Sequence, residues 1–202
     1  MRTGPPPMDP WGRAVSPGAD PARGRLVIVP LGRVDDVAVR VAAGQVQAVF
    51  NLPVDVSDPR PEPEYALIPA RRQYDAGAII KALAADPVGP AWRLGLTEAD
   101  LCLPFLTHVY GESQLGGRAA VVSPRRLRIE PGGGRAPIET LYERLAKVVL
   151  HEVGHLRGLV HCPRSGCLMN FSLGLDQLDQ LMACFCPDCE RRLGLRGGKA
   201  DP

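Results

Sequence analysis

Between His151 and Cys162 the chain reads His-Glu-Val-Gly-His-Leu-Arg-Gly-Leu-Val-His-Cys, and four more cysteines follow by Cys189. Three of the chain's four histidines and five of its six cysteines thus fall within 39 consecutive residues (151–189). Side chains that bind metals at fixed distances and angles restrict a fold more tightly than any hydrophobic pattern does.

On a helix, residues four apart stand one above the other on the same face, so His151 and His155 can offer two imidazole nitrogens to one ion. Glu152 points about 100° around the helix from His151, poorly placed to ligate that ion and well placed to hold a water beside it. Gly158 permits a backbone turn that residues with a Cβ avoid, and His161 can return beyond it as a third ligand. Three histidines leave a fourth zinc position open, which separates catalytic from structural sites. Such a metal lowers the pKa of a bound water to about 7. Glu152 could then take the proton as general base and pass it to a departing amine. Upstream, Leu141, Leu145, Val148 and Val149 recur at helical spacing, and Glu152 and His155 fall close to that stripe. The site is therefore expected to look inward.

Cys162 and Cys167 flank the turn-forming Pro163-Arg164-Ser165-Gly166, and Cys186 and Cys189 form a second close pair. Two such pairs suit a closed four-thiolate zinc site that contributes folding energy. Two disulfides or free buried thiols are the alternatives, and disulfides need an oxidising compartment. Cys184 is a spare that could compete as a ligand, and Cys102, between Leu101 and Leu103, reads as a small core residue.

The run of three histidines with Glu152 and Gly158, continued by Cys162, Cys167-Leu168-Met169 and Cys186/Cys189, resembles the archaemetzincin family of zinc metallopeptidases. Arg72-Gln73-Tyr74-Asp75-Ala76, Leu94-Gly95-Leu96-Thr97, Tyr110-Gly111-Glu112, Val121-Val122-Ser123 and Arg126-Leu127 extend the likeness upstream. The resemblance implies two zinc ions per chain. The catalytic ion would lie on His151, His155 and His161 with Glu152 as general base, and the structural ion on Cys162, Cys167, Cys186 and Cys189. It implies that Met169 is the methionine of the turn beneath the metal site. No tyrosine follows Met169, so a phenolic fifth ligand of the kind seen in some metzincins is not available. The resemblance also implies an α/β fold with a metzincin-like twisted mixed sheet packed on the active-site helix and a small zinc-stabilised C-terminal helical part. An edge strand over residues 118–123 would hold substrate extended by main-chain pairing.

With 202 residues the chain suits one domain, read here as residues 25–195 between a Pro/Gly-rich disordered leader (1–24) and a tail (196–202). A net charge of +2 from 24 basic and 22 acidic residues calls for neither nucleic acid nor a membrane surface, and no apolar run approaches 18 residues. The leader carries no secretory-type apolar segment, so the expected compartment is the cytoplasm, and the chain is expected to act as a monomer on peptide or protein substrates. Strands are expected at residues 26–30, within 46–56, at 101–110 and at 118–122. Helices are expected at 34–43, 74–84, through the histidine motif, at 175–182 and at 189–193. The glycine run 132–134 reads as a flexible connection.

The function expected is hydrolysis of peptide bonds. Two other classes compete with it: a catalytically silent, zinc-stabilised binding protein, and a docking module in the four-cysteine part. Glu152 weighs against the first, since a structural site needs no base beside its ligand. Only Arg191, Arg192, Arg196 and Lys199 support the second, and a short basic run is usually a solvated tail.

Overall fold

The structure is a computed structural model that describes residues 24–86 and 92–195; the expected leader and tail lie outside the described residues, Gly24 aside. In chain order the elements are β1 (Leu26–Leu31), α1 (Asp36–Phe50), β2 (Val54–Val56), β3 (Leu67–Ile68), β4 (Gln73–Asp75) and α2 (Ala76–Ala84). There follow β5 (Trp92–Thr97), β6 (Leu101–Cys102), β7 (Gly111–Ser113), β8 (Ala119–Val122), α3 (Ile138–Leu156), α4 (Leu175–Gln180) and α5 (Pro187–Leu193).

The main sheet runs β2-β1-β5-β8-β7; β2, β1, β5 and β8 are parallel, and β7 joins β8 antiparallel. Because strand side chains alternate, the interior strands β1 and β8 each feed two cores. Leu26, Ile28, Leu94, Leu96, Ala120 and Val122 pack toward α1 and α3. Val29, Leu31, Ala119 and Val121 pack toward α2. A smaller three-stranded sheet, β3-β4-β6, lies beside it.

Local chemistry sets the helix ends. Asp35 caps α1 by accepting from Val37 N–H at 3.0 Å, and Asn51, in the left-handed region at φ 50°, closes it. Asp75 does the same at the start of α2, accepting from Gly77 N–H at 2.9 Å. Helix α1 continues through the segment expected to begin the second strand, because Ala42, Val46 and Phe50 extend its buried stripe at four-residue intervals. Only Val54–Val56 pair as a strand there. Similarly, only Leu101–Cys102 of the expected 101–110 strand pair with another strand, and Leu103 bridges back to Leu106 within the segment. The sheet-forming runs at Gln73–Asp75, Trp92–Thr97 and Gly111–Ser113 were not anticipated as strands.

Helix α3 carries the histidine motif across the sheet, and its far end is anchored to α4. The fully buried Arg144 guanidinium grips Asp179 through two hydrogen bonds of 2.7 and 2.6 Å and donates to the carbonyls of Leu127 and Ile129. Lys147 donates to the carbonyls of Leu178 and Asp179 in the last turn of α4, where helix carbonyls run short of backbone partners. Among the described residues, no helix is long and apolar enough to cross a membrane.

Candidate active site and thiol cluster

His151 and His155 occupy successive turns of α3, as their spacing requires. The helix ends at Arg157, and Gly158 takes φ +88°, a left-handed turn that lets Leu159 N–H bond back to the Gly154 carbonyl at 3.0 Å. That turn carries His161 back over the helix end. The three rings then pack with centroids 4.7, 5.3 and 4.8 Å apart, and His161 also lies edge-on to Phe171. His151 Nε2 and His155 Nε2 are 3.1 Å apart. Two nitrogens at zinc-ligand distance on one tetrahedral ion stand roughly 3.3 Å apart, so the pair is already at coordination spacing.

The backbone fixes which nitrogen is free. His151 Nδ1 meets the Leu168 carbonyl at 2.8 Å and His155 Nδ1 meets the Leu159 carbonyl at 2.6 Å. A carbonyl only accepts, so each Nδ1 must carry the proton and each Nε2 presents a lone pair. Burial lowers the basicity of all three rings. For His155, burial and then the charges of His151 and His161 press the pKa down to about 3. Neutral imidazole is the form that binds metal.

Glu152 is buried on α3 with its carboxylate held by Ser113 of β7, whose hydroxyl donates to Oε2 at 2.6 Å. Burial pushes Glu152 up to about 7, with the Ser113 hydrogen bond pulling the other way. The close approach of strand and helix depends on Gly111, where a Cβ would stand 2.8 Å from Glu152 Cγ. Glu112, between them, is also pushed up to about 7 by burial and then by the Glu152 charge.

The four cysteines of the two expected pairs converge. Cys162 Sγ lies 3.8 Å from Cys186 Sγ, and Cys167 Sγ lies 3.8 Å from Cys189 Sγ. A disulfide requires about 2.05 Å, whereas four thiolates about 2.3 Å from one tetrahedral zinc stand roughly 3.8 Å apart. The pairing also runs across the two sequence pairs and not within them. Cys184 is exposed and outside the cluster, and Cys102 is fully buried in β6.

Met169 joins the two clusters. It is fully buried with Sδ against α3, where a Cβ on Gly154 would meet it at 2.6 Å, and its carbonyl accepts from Cys162 N–H at 2.8 Å. Leu168, next to it, supplies the carbonyl that orients His151.

A cleft of about 1100 Å3 opens over the histidines and Glu152 and passes both faces of β7. The sheet edge at this cleft is β7, and the strand expected there, β8, is interior, paired with β5 on one side and β7 on the other. Val121 is accordingly fully buried. The reason is the turn near Gly116-Gly117, which folds 111–113 back onto β8 as a hairpin and covers its edge. Sequence reasoning also missed Ser113 as the partner of Glu152. The alternation of Gly111, Glu112 and Ser113 was the available signal, but three residues are too few to read as a strand.

Comparison with known proteins agrees with this geometry. The profile of Peptidase family M54 matches residues 77–194. An archaemetzincin of Thermococcus kodakarensis is 35% identical over 175 residues, covering 83% of this chain and 94% of the relative. The crystal structure of an archaemetzincin from Archaeoglobus fulgidus, complexed with malonate, superposes with a TM-score of 0.72 at 30% identity, covering 83% of this chain and 99% of that one. A zinc-dependent peptidase from Methanocorpusculum labreanum superposes with a TM-score of 0.74 at 29% identity, with the same coverage of 83% and 99%.

Proposed function

This chain belongs to the archaemetzincins, Peptidase family M54, and is a zinc metallopeptidase; we propose that it hydrolyses peptide bonds at the His151, His155 and His161 centre with Glu152 as general base. The observation that carries the proposal is the hydrogen-bonding of the site: two imidazoles pinned through Nδ1 to carbonyls, and Glu152 pinned through Oε2 to Ser113.

The donor set fits zinc, since three neutral imidazoles supply borderline-soft nitrogen and leave room for a further ligand. Zinc bound there would polarise the scissile carbonyl and acidify an attacking water. Glu152 receives the water's proton on Oε1, the oxygen not held by Ser113, and delivers it to the departing amine. The exposed edge of β7 pairs with an extended substrate backbone and brings the bond to be cut over the histidines. We assign a second zinc ion to Cys162, Cys167, Cys186 and Cys189, whose sulfur spacing suits a tetrahedral ion. Such an ion has a structural role, tying the turn through Met169 to the C-terminal helices.

The test is digestion of a diverse peptide library by zinc-loaded protein, with Glu152→Ala in parallel and metal content measured on both. Two zinc ions per chain are expected in each protein, with cleavage falling about a hundredfold to ten-thousandfold in Glu152→Ala. Equal cleavage by both proteins would overturn the role of Glu152, and one zinc per chain would overturn the second site.

A further inference from the structure

The two faces of the edge strand present different chemistry to the cleft. Gly111 and Ser113 face Glu152 on α3. Glu112 lies opposite Val121 in the ladder, and Val121 belongs to the core on the α2 side. Residues opposite each other in an antiparallel pair project to the same face. Glu112 therefore enters the cleft on its far side, where Ile80, Ala84, Leu103 and Val109 supply apolar walls. A carboxylate at the end of an apolar trough is poorly solvated, and Glu152 adds a like charge beyond it. Both effects hold Glu112 well above the usual carboxylate range, opposed by the N–H of Ser113.

An extended substrate paired along β7 alternates its side chains between these two faces. When one residue faces the histidines, its neighbours face Glu112. A side chain with a long aliphatic stem and a terminal cation satisfies that trough, with methylenes on the walls and the charge on the carboxylate. We propose that Glu112 and the apolar wall contributed by α2 form a subsite for a lysine or arginine side chain of the substrate, adjacent to the residue held over the three histidines. Acidic side chains are rejected there by both Glu112 and Glu152. The inference deepens the peptidase reading given above and rests on it.

The probes are N-acetylated, C-amidated alanine hexapeptides in which one lysine is walked through the six positions, with norleucine, glutamate and N-acetyl-lysine counterparts. Cleavage by zinc-loaded native protein is compared with Glu112→Gln and Glu112→Lys. One register of lysine is expected to be cleaved roughly ten to a hundred times better than its norleucine counterpart, since a charge-assisted hydrogen bond is at stake. Glu112→Gln should erase that ratio, and Glu112→Lys should shift the preference to glutamate, with zinc content and Tm held as checks on folding. Reading the ratio cancels any uniform change in rate caused by removing a charge near Glu152. No lysine preference, or a preference that survives in Glu112→Gln, would overturn the subsite. If the native protein cleaves none of the peptides, peptide hydrolysis itself is in question, and binding to zinc-loaded Glu152→Ala decides the subsite separately. Tighter binding of lysine than norleucine, lost on adding Glu112→Gln, supports it; equal binding of the two overturns it.

Discussion

His151 Nδ1 donates to the carbonyl of Leu168 at 2.8 Å, and Leu168 directly follows Cys167, whose sulfur sits in the thiol cluster. The orientation of an imidazole on α3 is therefore set by a backbone segment that the cysteines hold. His161 and Cys162 are likewise adjacent in the chain. The histidine and cysteine clusters, which could have been independent, are joined at two points.

From this junction we predict that Cys186→Ser combined with Cys189→Ser weakens zinc retention at the histidines. The expected loss of affinity is about ten- to a hundredfold, the range seen when groups that orient metal ligands are removed. Zinc release to a graded chelator series measures it. Release from the histidine site at the native chelator strength would disprove the coupling.

Ser113 hydrogen-bonds Glu152 and belongs to neither the histidine nor the cysteine cluster. Ser113→Ala should lower kcat/KM by about tenfold or somewhat more, the scale of a hydrogen bond to a charged group. Zinc content should remain unchanged. Native activity in the variant would show that the helix alone positions Glu152.

Gly154 lies in the interior of α3, where alanine is ordinarily about 1 kcal/mol better. Here Gly154→Ala is expected to destabilise by about 1–3 kcal/mol, because its Cβ would overlap the buried sulfur of Met169. Urea denaturation of Gly154→Ala, Met169→Ala and the double variant should reveal positive coupling, with the second change costing less in the presence of the first. Simple additivity would mean that the helix and the methionine turn shift apart freely.

The pair formed by Arg144 and Asp179 has a pH signature. The Arg144 hydrogen bonds hold the Asp179 carboxyl below its ordinary value of 3.8. A depressed folded-state pKa means that the stabilising contribution is fully present above 3.8 and is lost as pH falls through the lower folded value. Denaturation midpoints measured from pH 5 down to pH 2.5 should fall less steeply in Asp179→Asn than in the native chain. Parallel slopes would remove Asp179 from the acid response.

Much of this molecule is legible from residue order because its decisive contacts are local. The spacing of His151 and His155 needs only the pitch of a helix, and Gly158 needs only the freedom of a residue without a Cβ at φ +88°. The stripe of Leu141, Leu145, Val148 and Val149 announces the buried face of α3 by period alone. The adjacency of His161 and Cys162 is covalent. These features would survive in any fold that let the helix form.

What residue order could not decide was pairing over distance. Residues 118–122 have the composition of a strand, but whether they lie at an edge depends on what folds back onto them. That role falls to Gly111–Ser113, a strand too short to carry a period. Val46 and Phe50 fit an alternating reading as well as a helical one until α1 packs on the sheet and selects the helix. Ser113 and Glu152 are 39 residues apart in the chain, and nothing in either neighbourhood encodes the other. Their contact exists because a parallel sheet, an antiparallel hairpin and the long helix beneath them close on one another. The side chains that can do chemistry are written locally, whereas the sheet edge at β7 and the hydroxyl that holds Glu152 arise only when the chain packs.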